Sequence, residues 1–574
     1  MKTSIIIPVH NQLALTRLCI DSIRKHTRLG SYEIIAVDNG STDGTAEWLE
    51  RQPDVRVIRL ADNAGFPAAC NRGLAEARGD NLLLLNNDTV VTPRWLDNLL
   101  DALHSDGRVG AVGPVTNAAA YHTAIPILYQ NLEEMWRFAE AHNRPDPAKR
   151  EERVKLIGFC LLLKREAFEK TGFLDERFAP GNFEDDDYCL RLRLAGYRLL
   201  LCRDTFIHHF GSASFRAWGH GAFAALLGRN EEKFVAKWGF SSAEACALHE
   251  DLIAAAGAPK GRPARILDAS CGCGATLLSL MRRYPEAELY GLERNGRAAR
   301  AAAAVLAGRA QVRALDLDAE NPGFPPAFFD LILLGSGWET LRRPRETLRN
   351  LAASLKPDGI LMARFQNPHH YALIFSLLEG KWPYGRLAGS GGLADGPVRF
   401  RTPREIGELF REAGLEHVQV FPQVWPASAE EERFLLALCR MAGERFRGVL
   451  PEERIQGFME QLWDRYGTSC HLVRASASAP AAGATDGARN RRLKFLLRRI
   501  EWDVDRKRSL DAVVRMAAAG IVGPEDFRRI AERDLVRAEE TLRLVAEAFR
   551  DRGLAATGED FLNRIAPACG GQSK

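Results

Sequence analysis

A chain of 574 residues has room for about three or four domains of ordinary size. With 46% hydrophobic and 26% charged residues it has the composition of an ordinary soluble protein. A net charge of +4 gives no global signal for nucleic acid or an acidic substrate, and the 11 cysteines follow no framing spacing, which fits a reducing cytoplasm. The opening MKTSIIIPVHNQ has an apolar run broken by Pro8, too short for a signal peptide or membrane span, and no later stretch reaches about 18 apolar residues. Strands are expected at Ser4–Pro8, Glu33–Val37, Val55–Leu60 and Leu82–Leu85, with helices such as Leu13–His26 and Thr45–Arg51 between them. That β-α-β-α order predicts a parallel sheet in an α/β domain over residues 1–240. A linker is expected over 241–262, around the Pro/Gly/basic stretch Ala255–Arg265. A second alternating block follows over 263–475, then a small, polar, flexible tether over 476–490, and a helical region over 491–574. No internal repeat of 20–50 residues is visible.

The run LLLLNNDTVV, Leu82 to Val91, stops a buried strand on Asn86, Asn87 and Asp88. Alone it reads most simply as a polar turn. In open α/β sheets, however, ligands sit at the strands' carboxyl edge, and oxygen donors there suit a hard cation such as Mg2+ or Mn2+. Other stretches of the block point the same way. Asp38 ends an apolar strand in EIIAVDNGSTDGT, followed by Asp43, and its carboxylate could accept from a base N–H or a ribose hydroxyl. NAGFPAACNRGL offers Asn63, Gly65, Asn71 and Gly73, glycines for close backbone approach and asparagines for paired polar contacts. FEDDDYCLR crowds Glu184, Asp185, Asp186 and Asp187 together, which raises carboxyl pKa values unless cations sit nearby. IHHFGS adds His208 and His209. Capped helices, solvated acidic turns and a surface His pair explain each alone, but not all of them in one block.

These motifs, in this order, resemble a family 2 glycosyltransferase with the GT-A fold, closest to its rhamnosyltransferase-like branch, over about residues 1–235. The resemblance implies transfer of a hexosyl or deoxyhexosyl group from a nucleotide-diphosphate sugar to a glycan or polyprenyl-linked acceptor, with inversion and a divalent cation. It makes Asp88 the last acid of a degenerate D-x-D motif, with Asn86 in the place of its first acid and His209 as a further metal ligand. Asp38 would hold the nucleotide base; Pro8, Asp43, Asn63, Gly65, Asn71 and Asn87 would line the donor site. Asp185 would be the general base that a direct displacement needs, with Glu184 or Asp187 holding acceptor hydroxyls.

In the second block, ARILDASCGCGATLLSL reads as strand, glycine turn and helix, and Glu293 ends the next strand about 20 residues on. A dinucleotide-binding domain gives the same pattern. With VRALDLDAENP, which contributes Asp316, and FRTPREIGELFREAGL, the series resembles a class I S-adenosylmethionine-dependent methyltransferase with a Rossmann-like fold, over roughly 263–425. The resemblance puts the methionine part of the cofactor on the turn Asp268–Gly272–Gly274, Glu293 on its ribose and Asp316 near its adenine. Ser270 stands where the first glycine of the turn is usual, Glu339-Thr340 where Glu-His is frequent, and Pro397 and Val398 precede Arg399 where relatives tend to have a His. His369 and His370 are candidate bases for methyl transfer, or merely a helix-start pair.

The basic tail carries Leu493, Leu496, Leu497, Ile500 and Val504 on one helical face, which could pack internally or rest on an anionic membrane surface; packing is favoured. The expected protein is therefore a cytoplasmic, bacterial-type enzyme of cell-wall or surface polysaccharide synthesis, with a peripheral membrane contact open and no nucleic-acid partner. Its second block either methylates the glycan or acts as a cofactor-binding or scaffolding module without catalysis.

Overall fold

The computed structural model describes residues 1–125, 127, 129, 131–211, 219–256, 264–371, 373, 374, 400–424, 429–478, 493, 494, 496, 497, 500, 506–518, 522–534 and 538–551. Pro397, Val398 and Val504 lie outside the described residues, as does most of the expected tether. The described residues divide into two compact units, 1–363 with 412–414, and 364–374, 400–411 and 415–551.

The first unit begins with β1 (Thr3–Val9), α1 (Leu13–His26), β2 (Tyr32–Asn39), α2 (Thr45–Glu50), β3 (Val55–Leu60), α3 (Phe66–Glu76), β4 (Asn81–Leu85) and the two-residue β5 (Thr89–Val90). Then come α4 (Trp95–Leu103), β6 (Val109–Val115), α5 (Leu132–His142), β7 (Arg150–Arg153), β8 (Cys160–Lys164), α6 (Arg165–Thr171), α7 (Glu184–Leu194), β9 (Arg198–Phe206) and β10 (His208–His209). Eight strands form one sheet in the order β3-β2-β1-β4-β8-β6-β9-β7. The first four are parallel, with Ile6 opposite both Ile35 and Leu84, while β8 runs antiparallel to β4 and β6. Both faces are covered, so the strands are apolar throughout rather than alternating. On one face Ile5, Ile7, Leu83 and Leu85 pack with Cys19, Ile20 and Ile23 of α1. On the other Ile6, Leu82 and Leu84 pack with Ala69, Cys70 and Leu74 of α3.

Next come α8 (Gly219–Trp238), α9 (Ser242–Ala245) and α10 (Glu250–Ala256). Within the stretch expected to link the blocks, Leu252, Ile253 and Ala256 are fully buried. A second parallel sheet is built by β11 (Arg265–Asp268), α11 (Ala275–Arg283), β12 (Glu288–Glu293), α12 (Gly296–Leu306), β13 (Gln311–Ala314), β14 (Phe329–Leu334) and β15 (Leu355–Gln366), in the order β13-β12-β11-β14-β15.

The second unit contains an antiparallel pair, His417–Val424 with Thr468–Ser476, and a helical core. Leu493, Leu496, Leu497 and Ile500 are buried there with Leu435, Trp463, Val513, Phe527 and Phe549. The apolar face of the basic tail is thus turned into this core. Among the described residues no helix is long and apolar enough to cross a membrane, and ten cysteines are buried and form no disulfide.

Candidate active site

Because β1, β2 and β4 are parallel neighbours, their carboxyl ends share one edge, bringing Pro8, Asp38 and the Asn86–Asp88 turn to one side of the sheet. Asp38 is 1% exposed and its Oδ1 has no hydrogen-bond partner. A buried acceptor of that kind suits a donor the chain itself does not supply. Asn39 orders the neighbouring loop. Its Oδ1 accepts from Ala64 N at 2.8 Å, and its Nδ2 donates to Asn63 Oδ1 at 3.0 Å and Gly65 O at 3.3 Å. Gly65 has φ +90° and a Cβ there would lie 2.9 Å from Pro180 Cα, so close backbone approach is what this glycine permits.

Three residues expected at the donor site also make bonds within the chain. Asp43 accepts from Leu13 N and Thr45 N, both at 3.2 Å, and from Thr45 Oγ1, bracing α1 against α2. Asn71 donates to Leu174 O and Glu176 Oε1 and accepts from Leu174 N, all at 2.9 Å, holding the loop after α6 to α3. Asn87 donates to Thr16 Oγ1 at 3.0 Å.

At the β4 end, the short β5–β10 pairing sets His209 opposite Thr89 and beside Asp88. His209 Nε2 lies 3.2 Å from Asp88 Oδ1, and both side chains are buried. The other ring nitrogen, Nδ1, is 2.8 Å from Ala118 O, an acceptor only, so in the neutral ring Nδ1 carries the proton and Nε2 presents a lone pair. A lone pair and a carboxylate oxygen facing each other suit a proton or cation between them, and a histidine oriented through a backbone carbonyl is the usual support of a metal ligand. Asn86 Oδ1 is buried without a partner at the same turn. The donor set of carboxylate, imidazole and amide oxygen thus fits a divalent cation. Among the described residues no group of three His, Cys, Asp or Glu side chains forms a self-sufficient metal cage. A cation here would take further oxygen donors from a ligand.

The acidic run is the first turn of α7. Asp187 is fully buried and committed to structure, 2.9 Å from Arg191 Nε and Trp238 Nε1 and 2.5 Å from Lys237 Nζ. Asp186 pairs with Lys155 Nζ at 2.8 Å and accepts from Ser242 Oγ. Glu184 is buried, its Oε2 has no partner, and burial followed by the charge of Asp185 pushes its pKa well up, which favours the neutral acid. Asp185 is half-buried and accepts from Gly158 N and Asp186 N, both at 2.9 Å. Lost solvation first, then the charge of Asp186, raise its pKa to about 6 against the pull of Lys155.

One short segment ties this acid to the strand edge. Asp185 holds Gly158 N; the next residue, Phe159, accepts from Asn86 N at 2.9 Å and stacks its ring on His209 at 5.0 Å. Lys155, Gly158 and Phe159 were not singled out in the sequence, where RVKLIGFC reads only as the approach to a strand.

In the second sheet β11, the glycine turn and α11 follow one another as expected. Gly272 has φ +51° and Gly274 φ +89°, the left-handed region that favours glycine. Glu293 accepts from Gly272 N at 2.9 Å and Asn295 N at 2.7 Å. Asp268 is buried, with Oδ2 unpartnered, and burial raises its pKa to about 7. Asp316 accepts from Asp318 N at 2.9 Å. Ser270 accepts from Ser336 N at 3.4 Å. In the second unit, His369 N donates to Asn367 Oδ1 at 3.1 Å, and the His370 ring lies 4.4 Å from that of Tyr371.

Comparison with known proteins assigns both blocks. Residues 4–172 match the family model for glycosyl transferase family 2, and residues 240–420 match a methyltransferase domain. Residues 4–172 are a family 2 glycosyl transferase domain. The sheet bearing Asp38 and Asp88 is accordingly GT-A-like, and the second sheet is that of a methyltransferase-like domain. The O-antigen biosynthesis protein RfbC of Myxococcus xanthus is 33% identical over 228 residues, 38% of this chain and 18% of its own length. The N-acetylglucosaminyl-diphospho-decaprenol L-rhamnosyltransferase of Mycobacterium tuberculosis (strain CDC 1551 / Oshkosh) is 32% identical over 191 residues, 29% of this chain and 62% of its own. A solved mannosyltransferase from Pyrobaculum calidifontis, in complex with GDP-Man and Mn2+, aligns with 21% identity and a TM-score of 0.31 over 41% of this chain and 64% of that one. This chain thus spans less than two thirds of each of these relatives.

Proposed function

We propose that the glycosyl transferase domain moves a sugar from a nucleotide-diphosphate donor to a glycan or polyprenyl-linked acceptor, by a direct inverting displacement with a divalent cation. The observation that carries this reading is the unbroken run of contacts from Asp185 through Gly158 and Phe159 to Asn86, His209 and Asp88. It ties a base of raised pKa to a cation-type donor set. Asp88, His209 and Asn86 would hold Mg2+ or Mn2+; when bound, the cation supplies charge stabilisation to the diphosphate leaving group. The acceptor hydroxyl oxygen attacks the anomeric carbon, the bond to the diphosphate breaks, and the hydroxyl proton passes to Asp185. Gly158 N–H and Asp186 N–H fix that carboxylate's orientation. Neutral Glu184 is suited to donate a hydrogen bond to an acceptor hydroxyl. Asp38 is suited to the nucleotide, Pro8 and Gly65 to close approach by the donor. The acceptor class is supported by the likeness to the rhamnosyltransferase and the O-antigen biosynthesis protein.

For the second block we propose an S-adenosylmethionine site at Gly272–Gly274 with Glu293 on the ribose, Asp268 supporting the turn and Asp316 toward the adenine. Activity on the glycan is one reading. A module that binds the cofactor or scaffolds without methyl transfer is the other, and its scaffolding form is supported by Ala245 O, which accepts from Cys273 N and covers the turn. The proposed domain limits are 1–240, 263–475 and 491–574, with the protein in the cytoplasm and at most peripheral to the inner membrane face.

The test is a panel of nucleotide-diphosphate sugars with the full chain, scored by released nucleotide diphosphate with and without Mg2+ or Mn2+. Cation-dependent release that needs an acceptor supports the reading. A chain that binds donors and releases nothing with any acceptor is a sensor instead.

A further inference from the structure

Residues 241–249 touch both candidate sites. At one end Ser242 Oγ donates to Asp186, which neighbours Asp185 in the chain and is itself paired with Lys155. Ser241 Oγ donates to Glu231 of α8. Three residues further on, Ala245 O accepts from Cys273 N at 2.5 Å, directly on the glycine turn. A Cβ on Gly272 would collide with that same carbonyl, so the space the glycine leaves open is filled by Ala245. Cys246 and Cys273 are both buried. His249 N donates to Thr276 Oγ1 at 3.2 Å, and its ring packs on Gly335, the first residue beyond β14, where a Cβ would clash with it. The chain therefore covers the carboxyl edge of β11 and β14, where a ligand of an open α/β sheet sits.

We propose that residues 241–249 are a latch shared by the two sites: seated, it fills the cofactor place at Gly272 and holds Asp186 beside the glycosyl-transfer base, and a ligand at Gly272 displaces it from both. The proposal rests on the S-adenosylmethionine reading of that turn. It makes the two contacts at opposite ends of the latch mutually dependent. Whatever weakens Ser242–Asp186 lowers the population of the seated latch and so raises the apparent affinity for the cofactor, since a competing closed state reduces affinity by its population. By reciprocity, cofactor binding loosens the Ser242 end.

The experiment uses the full chain and S-adenosylmethionine, with affinity read by calorimetry and the amides of Ala245 and Cys246 by hydrogen exchange. Those amides are bonded within the latch, to Ser241 O at 2.9 Å and Ser242 O at 3.0 Å, and are buried while it is seated, so its displacement exposes them to water. The expected result is faster exchange at both amides on adding the cofactor. Ser242→Ala and Asp186→Asn should each tighten binding by about tenfold, the effect of one hydrogen bond to a charged group. If Asp186→Asn fails to fold, Ser242→Ala alone decides. Wild-type binding with unchanged exchange, or with affinity unmoved by Ser242→Ala, overturns the latch and leaves the cofactor site standing. No binding by wild type or by Ser242→Ala overturns the cofactor site and the latch with it.

Discussion

Asp185 sits in surroundings that set its working range. A carboxylate raised to about 6 by lost solvation and the adjacent Asp186 is a stronger base than an ordinary aspartate, and it is still ionised at neutral pH. The base form is lost as pH falls through that value. The acid limb of kcat/KM should therefore bend near pH 6 and fall about tenfold per pH unit below it, as for loss of one proton. A bend near 4 would assign the base elsewhere. Asp185→Asn should retain donor binding and lower turnover by about 100-fold or more. At the other end of the same run of contacts, Asp88→Ala should abolish cation-dependent transfer while leaving the fold intact, because the backbone bond from Phe210 N to Asp88 O, which anchors the turn, is kept. Full activity of that variant at ordinary Mg2+ or Mn2+ would sink the assignment. Both acids were legible in the sequence because each stands in a recognisable run. The residues that join them were not. Gly158 acts through its backbone amide and Phe159 through a carbonyl and a ring face, and neither leaves a mark in residue type. Asp187 shows the converse: it lies in the acidic run, yet Arg191, Lys237 and Trp238, two of them some 50 positions away, claim it for the core.

At the scale of elements, the parallel half of the first sheet was readable because strands buried on both faces appear as unbroken apolar runs. The antiparallel β8 and its neighbours were not, since their order in the sheet depends on pairings such as Leu83 with Leu162, far apart in sequence. The loop ahead of α7 is a further product of long-range contact. Asn230 of α8 donates to Phe178 O, Gly181 O and Asn182 O, and Phe66 N donates to Pro180 O at 2.8 Å. Gly65, in the loop between β3 and α3, is where that loop meets the segment. Gly65→Ala should strain a left-handed backbone and push Pro180 away, at a cost of about 1–2 kcal/mol. Because the displaced loop leads into the Asp185 turn, turnover should fall further than stability does. Kinetics and urea unfolding on the same preparation separate the two. Loss of stability with unchanged turnover per folded molecule would mean that the loop does not position α7.

Across the first unit, buried charge joins the two α/β sheets, which composition alone could not reveal. Glu152 of β7 lies 2.8 Å from Arg193 of α7, 3.0 Å from Arg198 and 2.9 Å from Arg309, just beyond α12 of the second sheet's domain. Arg193 also donates to Val305 O of α12 at 2.8 Å. Burial alone would raise the Glu152 pKa, but the bonds from Arg309 and the charges of Arg193 and Arg198 hold it at about 2. A carboxyl lowered from its ordinary 4.5 to about 2 contributes roughly 3 kcal/mol above pH 4.5, and this is lost as pH falls toward 2. Removing its charge also leaves Arg193, 2% exposed, without a carboxylate, a change that typically costs about 3–5 kcal/mol. Glu152→Gln, which keeps the shape, should therefore lower the unfolding free energy by about 3 kcal/mol at pH 7 and by much less at pH 3. Arg309→Ala should cost about 1 kcal/mol at most, since the 41% exposed guanidinium is screened by water and Arg193 still faces the carboxylate. Urea unfolding of the three proteins at the two pH values measures both differences. A Glu152→Gln deficit that is equally large at pH 3 would make the effect one of packing, and the charge would no longer be what joins the two sheets.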